Sequence, residues 1–192
     1  MSRIGVDFRV QPVEVAEAFG NARDPQILAR RLAREKAKAA RLAAAMPPIL
    51  AADTVVWLHG EAFGKPRDAQ SARQMLRALR GRVHRVVTGI AVIPEGKRNA
   101  LVCTPVTEVQ MREYADKEIE ESIRRGDPFD KAGGYGIQDT VFQPVQQYVG
   151  CYCNVIGLSL WATIELMHKV GLRLDKPAQI FPQCEHCPLR PR

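Results

Sequence analysis

The segment ILAADTVVWL, Ile49 to Leu58, is apolar almost without a break, the pattern of a strand buried on both faces. Asp53, followed by Thr54, interrupts it. A carboxylate inside such a strand must have partners, because an unpaired buried charge is strongly destabilising. Asp53 is then either a structural carboxylate, capping amides or pairing with a core cation, or part of a functional site, where awkward ionisable groups gather.

Upstream, Asp24 to Met46 has helical periodicity, with Asp24 as N-cap, Pro25 in the first turn and Pro47-Pro48 as the stop. Leu28, Leu32, Ala39, Leu42 and Ala43 gather on one side, and Arg30, Arg31, Arg34, Lys38 and Arg41 on the other. Lys36 breaks this division by falling on the apolar side, one turn beyond Leu32. It either snorkels outward or points its ammonium into a polar cleft.

Downstream, His59-Gly60-Glu61 reads as a turn and Phe63 to Pro66 as an extended loop. Asp68 caps a helix that runs to Arg80 and closes at Gly81. Val83 to Ile93 and Leu101 to Met111 read as two strands of a hairpin turned at Pro94-Glu95-Gly96. Asp116 to Arg125 is a short helix whose acidic-to-basic order suits the helix dipole. The stretch DPFDKAGGYGIQ, Asp127 to Gln138, carries glycines that permit either a simple turn or close approach of backbone to a ligand. Val141 to Val149 reads as a strand and Leu158 to Val170 as a last helix. Strands alternating with helices imply an α/β domain, and the hairpin makes its sheet mixed.

The composition sets bounds on this reading. A chain of 192 residues, 46% hydrophobic and 26% charged, has room for one domain, here residues 1–174, with a flexible tail over 175–192. The opening residues lack a secretory pattern, no apolar run reaches membrane length, and five cysteines make no disulfide framework. A cytoplasmic protein without a membrane partner is expected. The net charge of +7 suits a phosphate-bearing ligand but does not choose between nucleotide and polymer. Aromatic residues are not interleaved with basic ones as in single-strand binders, so no stable nucleic-acid partner is expected.

Five segments in order closely resemble the Maf family of nucleoside triphosphate pyrophosphatases. They are Asp53 to Val56, Gly64 to Asp68, His84 to Gly89, Asp130 to Gln138, and Asn154 to Leu158. The RLAREKA segment, Arg31 to Ala37, resembles the family's first lysine helix. The resemblance runs from about Ile4 to Leu174. It implies a Maf/ITPase-like mixed, twisted sheet flanked by helices with a nucleotide cleft. It also implies hydrolysis between the α- and β-phosphates of a nucleoside triphosphate, with release of pyrophosphate. Asp53 matches the proton acceptor, acting directly or through a divalent cation, Mg²⁺ or Mn²⁺, for which it is the matched ligand. Lys36, Lys65 and Lys131 match lysines that neutralise the triphosphate. Thr54 and Gln138 match specificity positions of the dTTP/UTP branch. A homodimer is left open.

The family's opening strand and Ser-x-Ser-Pro-Arg-Arg loop have no counterpart, and Gly5-Val6-Asp7-Phe8 resembles the segment after the family's first helix. That implies either a start placed downstream or a shortened chain with impaired catalysis. The alternative function is accordingly a catalytically impaired nucleotide-binding or regulatory protein. Near the end, Cys184-Glu185-His186-Cys187 has the spacing of half a zinc site. A structural zinc takes four ligands and no second C-x-x-C occurs. Cys151 and Cys153 could contribute only if the fold brought them close. The expectation is a solvated tail, with Cys103, Cys151 and Cys153 as small core residues.

Overall fold

The computed structural model describes residues 7–15, 19, 22–43, 46–174 and 182–191. Helix α1, Pro25–Leu42, begins as the sequence indicates, with the Asp24 carboxylate accepting the Gln26 amide at 2.7 Å. The helix ends with Ala43 as its cap. The expected run to Met46 crosses 44–45, outside the described residues. Strand β1, Ile49–Leu58, has the expected bounds. It turns through His59 and Gly60, at φ 50° and 92°, into a short strand β2, Glu61–Phe63. Both central residues of that two-residue turn are left-handed, which matches the twist of a hairpin.

Helix α2, Ala69–Leu79, is capped reciprocally by Asp68 and Ser71 and leads to β3, Val83–Ile93. The return strand of the expected hairpin is divided into β4, Leu101–Cys103, and β5, Val106–Met111. Pro105 has no amide to donate, and the ladder breaks there. Helix α3, Asp116–Arg125, ends in a left-handed Gly126 at φ 80°. The loop then makes a 3₁₀ turn at Ala132–Gly134 and reaches β6, Val145–Val149. The latter starts later than expected because Asp139 Oδ1 accepts the amides of Val141 and Phe142, both at 2.9 Å. A five-residue helix α4, Tyr152–Ile156, precedes α5, Leu160–His168. Sequence periodicity cannot reveal an element as short as α4.

The strands form one sheet in the order β2-β1-β3-β5-β6, with β4 beside β3. The α/β class holds, but every described pairing is antiparallel, so the sheet is not mixed. The hairpin to β2 is the reason. It reverses the chain before α2, so α2 connects two co-directional strands, β2 and β3, that lie on opposite sides of β1. The crossover is there, but its two strands are not neighbours.

Side chains alternate across the sheet. Val55, Trp57 and Val87 pack on Leu28, Ala29 and Leu32 of α1, while Val56, Leu58 and Val86 pack on Leu76 and Leu79 of α2. Ile90 and Val92 receive Leu166 and Met167 of α5. On the α1 face, Gly89 allows the closest approach. A Cβ there would lie 2.1 Å from the Ala29 carbonyl oxygen and 3.0 Å from Ala33 Cβ. Among the described residues, no helix is long and apolar enough to cross a membrane.

Candidate active site

Strand β2 covers β1 only at Val56, Trp57 and Leu58. Among the described residues, no strand pairs with the rest of that edge, and a cleft of about 240 Å³ opens along it. All six residues singled out by sequence line this cleft: Lys36, Asp53, Thr54, Lys65, Lys131 and Gln138. They come from α1, β1, the loop before α2 and the glycine-rich loop.

Sheet alternation explains how Asp53 meets Lys36. Asp53 lies opposite Gly89 in the β1–β3 register. Where Gly89 admits α1, the residue about one turn beyond Ala33 stands over that pair, and this residue is Lys36. Its ammonium donates to Asp53 Oδ1, with the lysine half-buried and the carboxylate buried. Of the two readings of Lys36, the ammonium enters the cleft rather than snorkelling away. Asp53 is charge-compensated yet still on a cavity wall.

Thr54 faces the other side of the sheet and begins a buried hydrogen-bond chain. Its hydroxyl shares a 2.9 Å bond with Thr88, whose hydroxyl donates to the Asn154 carbonyl at 2.9 Å. Asn154 Nδ2 donates to the Val86 carbonyl and the Thr107 hydroxyl, both at 3.0 Å. This chain seats α4, so that Val155 and Ile156 complete the cleft wall.

The glycine-rich loop is held by the Gly133 amide, which donates to the Gly64 carbonyl at 2.9 Å. The bond joins the segments bearing Lys131 and Lys65. Gly133 has φ 71°, and Gly134 has φ 74°, so both use the left-handed freedom of glycine. Lys131 donates to the Asp127 carbonyl at 2.7 Å and to Asp130 at 2.5 Å. The Lys131 ammonium holds the Asp130 carboxyl below its ordinary range.

Asp130 also lines the cleft, although the sequence placed it only at the start of a segment resembling the family, with no role in the site. Its adjacency to Lys131 was the available signal. Tyr135 is buried, with its hydroxyl 2.6 Å from His84 Nε2. It lines the cleft as part of the core.

Three ammonium groups around two carboxylates and neutral hydrogen-bonding side chains suit a polyanion carrying a polar head. Fold and cleft together define an α/β protein with a lysine-lined cleft at a sheet edge. A family model described as Maf-like protein matches residues 1–170, and the chain belongs to the Maf family. It is 46% identical over 193 residues to a Thermomicrobium roseum protein named dTTP/UTP pyrophosphatase, covering 98% of this chain and 87% of the relative. Proteins of the same name from Chromobacterium violaceum and Escherichia coli O157:H7 are each 41% identical. They match 91% and 92% of this chain, and 89% of each relative's own length.

Proposed function

We propose that this chain is a nucleoside triphosphate pyrophosphatase that hydrolyses dTTP and UTP to the monophosphate and pyrophosphate. The observation that carries this reading is a cleft lined together by Lys36, Lys65, Lys131, Asp53 and the neutral Thr54 and Gln138, with Lys36 bonded to Asp53. Its relatives named dTTP/UTP pyrophosphatase support it. Asp53 accepts a proton from water as the water oxygen bonds to the α-phosphorus. The bond from that phosphorus to the bridging oxygen breaks, and pyrophosphate leaves with the electron pair. The lysines donate to phosphate oxygens on which charge accumulates, so the protein contributes mainly position and electrostatics.

The donor set also fits Mg²⁺ or Mn²⁺. Asp53 and Asp130 are carboxylates on the cleft wall, and such an ion needs only one or two of them beside substrate phosphates. When bound, it neutralises triphosphate charge. Thr54 and Gln138 face the base, where a polar group left unpaired by the wrong base penalises it.

The test is pyrophosphate release from dTTP, UTP, CTP, dCTP, GTP and 7-methyl-GTP with Mg²⁺ or Mn²⁺. Turnover should favour dTTP and UTP. Asp53→Asn should lower kcat by at least about a thousandfold, on the scale of losing a catalytic base and its electrostatics, with an unchanged circular-dichroism spectrum. Full turnover in that variant would overturn the role of Asp53. Nucleotide binding without pyrophosphate release by the unaltered chain would favour a regulatory protein instead.

A further inference from the structure

Away from the cleft, the fold gathers four of the five cysteines. Cys151 caps α4, Cys153 stands in its first turn, and Cys184 and Cys187 belong to segment 182–191. The expected solvated tail cysteines are in fact buried: Cys184 is 2% and Cys187 6% exposed, against 1% for Cys151 and 4% for Cys153. The physical reason is that Leu160, Trp161 and Ile164 of α5 offer an apolar wall to this segment. Trp161 Nε1 also donates to the Cys184 carbonyl at 2.9 Å.

The contacts run between the two pairs. Cys153 Sγ is 3.3 Å from Cys184 Sγ, and Cys151 and Cys187 are buried in the same cluster. The ligand count that fails along the sequence is therefore met in space, with C-x-C from one segment and C-x-x-C from another. Burial of cysteine as a small apolar residue accounts for one or two such groups. It gives no reason for four thiols from two distant segments to converge.

We propose that Cys151, Cys153, Cys184 and Cys187 form a structural tetrathiolate site for one zinc ion. Zinc–sulfur bonds of about 2.3 Å make a tetrahedron with edges of about 3.8 Å. The Cys153–Cys184 contact is shorter than that edge. With the side chains as they lie, no group of three or more His, Cys, Asp or Glu among the described residues has metal-holding geometry. The site requires the side chains to rotate so that the four sulfurs open around the ion. Coordination releases the thiol protons to solvent. The ion staples segment 182–191 to α4, which supplies Asn154 to the buried hydrogen-bond chain and Val155 and Ile156 to the cleft.

The test is made on the full chain, purified under reducing conditions after growth with zinc, and it does not depend on activity. Elemental analysis should give one zinc per chain, and X-ray absorption at the zinc edge should show four sulfur neighbours. Exchange with a Co²⁺ salt should give the intense visible bands of tetrahedral cobalt thiolate. Cys184→Ser and Cys187→Ser should each lower zinc affinity at least tenfold, whereas Cys103→Ser should leave it unchanged. The proposal is overturned if the reduced chain carries no zinc and takes up neither zinc nor cobalt salts. It is equally overturned if intact mass shows the two-hydrogen loss of a Cys153–Cys184 disulfide in place of metal, or if cobalt spectra show no thiolate bands.

Discussion

His84 shows how one residue ties the candidate site to the stability of the molecule. It is buried, its Nε2 meets the Tyr135 hydroxyl, and its Nδ1 has no hydrogen-bond partner among the described residues. Burial pushes its pKa down to about 4 from the ordinary 6.5. An unfolded chain binds that proton as pH falls through 6.5, while the folded chain refuses it until about pH 4. Protons therefore favour unfolding throughout that window. Stability is full above pH 6.5 and falls as the solution is acidified, by up to about 3 kcal/mol from this residue. Urea unfolding at pH 7, 6 and 5 should show the decline. His84→Gln should flatten that part of the slope while lowering stability at pH 7. Because His84 holds Tyr135 in the cleft lining, acid should loosen the glycine-rich loop first.

At the scale of elements, the site depends on how closely α1 lies on β3. Gly89→Ala would place a methyl group 2.1 Å from the Ala29 carbonyl oxygen, which a helix backbone cannot yield without moving as a unit. The expected loss is about 2–4 kcal/mol, since an overpacked core backbone has nowhere to relax. Displacing α1 also separates Lys36 from Asp53, so kcat should fall in the molecules that remain folded. Thermal melting and turnover of the same preparation check both effects. The elements themselves were largely legible: α1, β1, α2, β3 and α3 follow from caps, periodicity and apolar runs. β2 and α4, of three and five residues, are too short for periodicity and exist because β1 and the buried Asn154 supply their partners.

For the whole molecule, charge shapes the encounter with substrate. The chain carries a formal +7, and three of its lysines face one cleft. A polyanion approaching that cleft is attracted over distances comparable to the Debye length, about 10 Å at 0.1 M salt. Raising ionic strength from about 0.05 to 0.5 M with a neutral-pH chloride salt should lower kcat/KM for UTP several-fold, mostly through KM. A fall in kcat alone would place the lysines outside the encounter. Steady-state kinetics across a salt series makes that distinction.

Sequence alone singled out Asp53 and Lys36, because each breaks a local rule: a carboxylate in an apolar strand and an ammonium on an apolar helix face; Lys65, Lys131, Thr54 and Gln138 were reached only through the family resemblance. It also determined the α/β class, since capping and periodicity are local. Only the tertiary structure decided that the sheet is antiparallel, that Asp130 joins the cleft and that Cys184 and Cys187 meet Cys151 and Cys153. Strand direction hangs on a three-residue hairpin strand, and thiol convergence on contacts between segments some thirty residues apart. Such pairings are settled by packing, in which the free energy belongs to surfaces meeting across the fold rather than to neighbours along the chain.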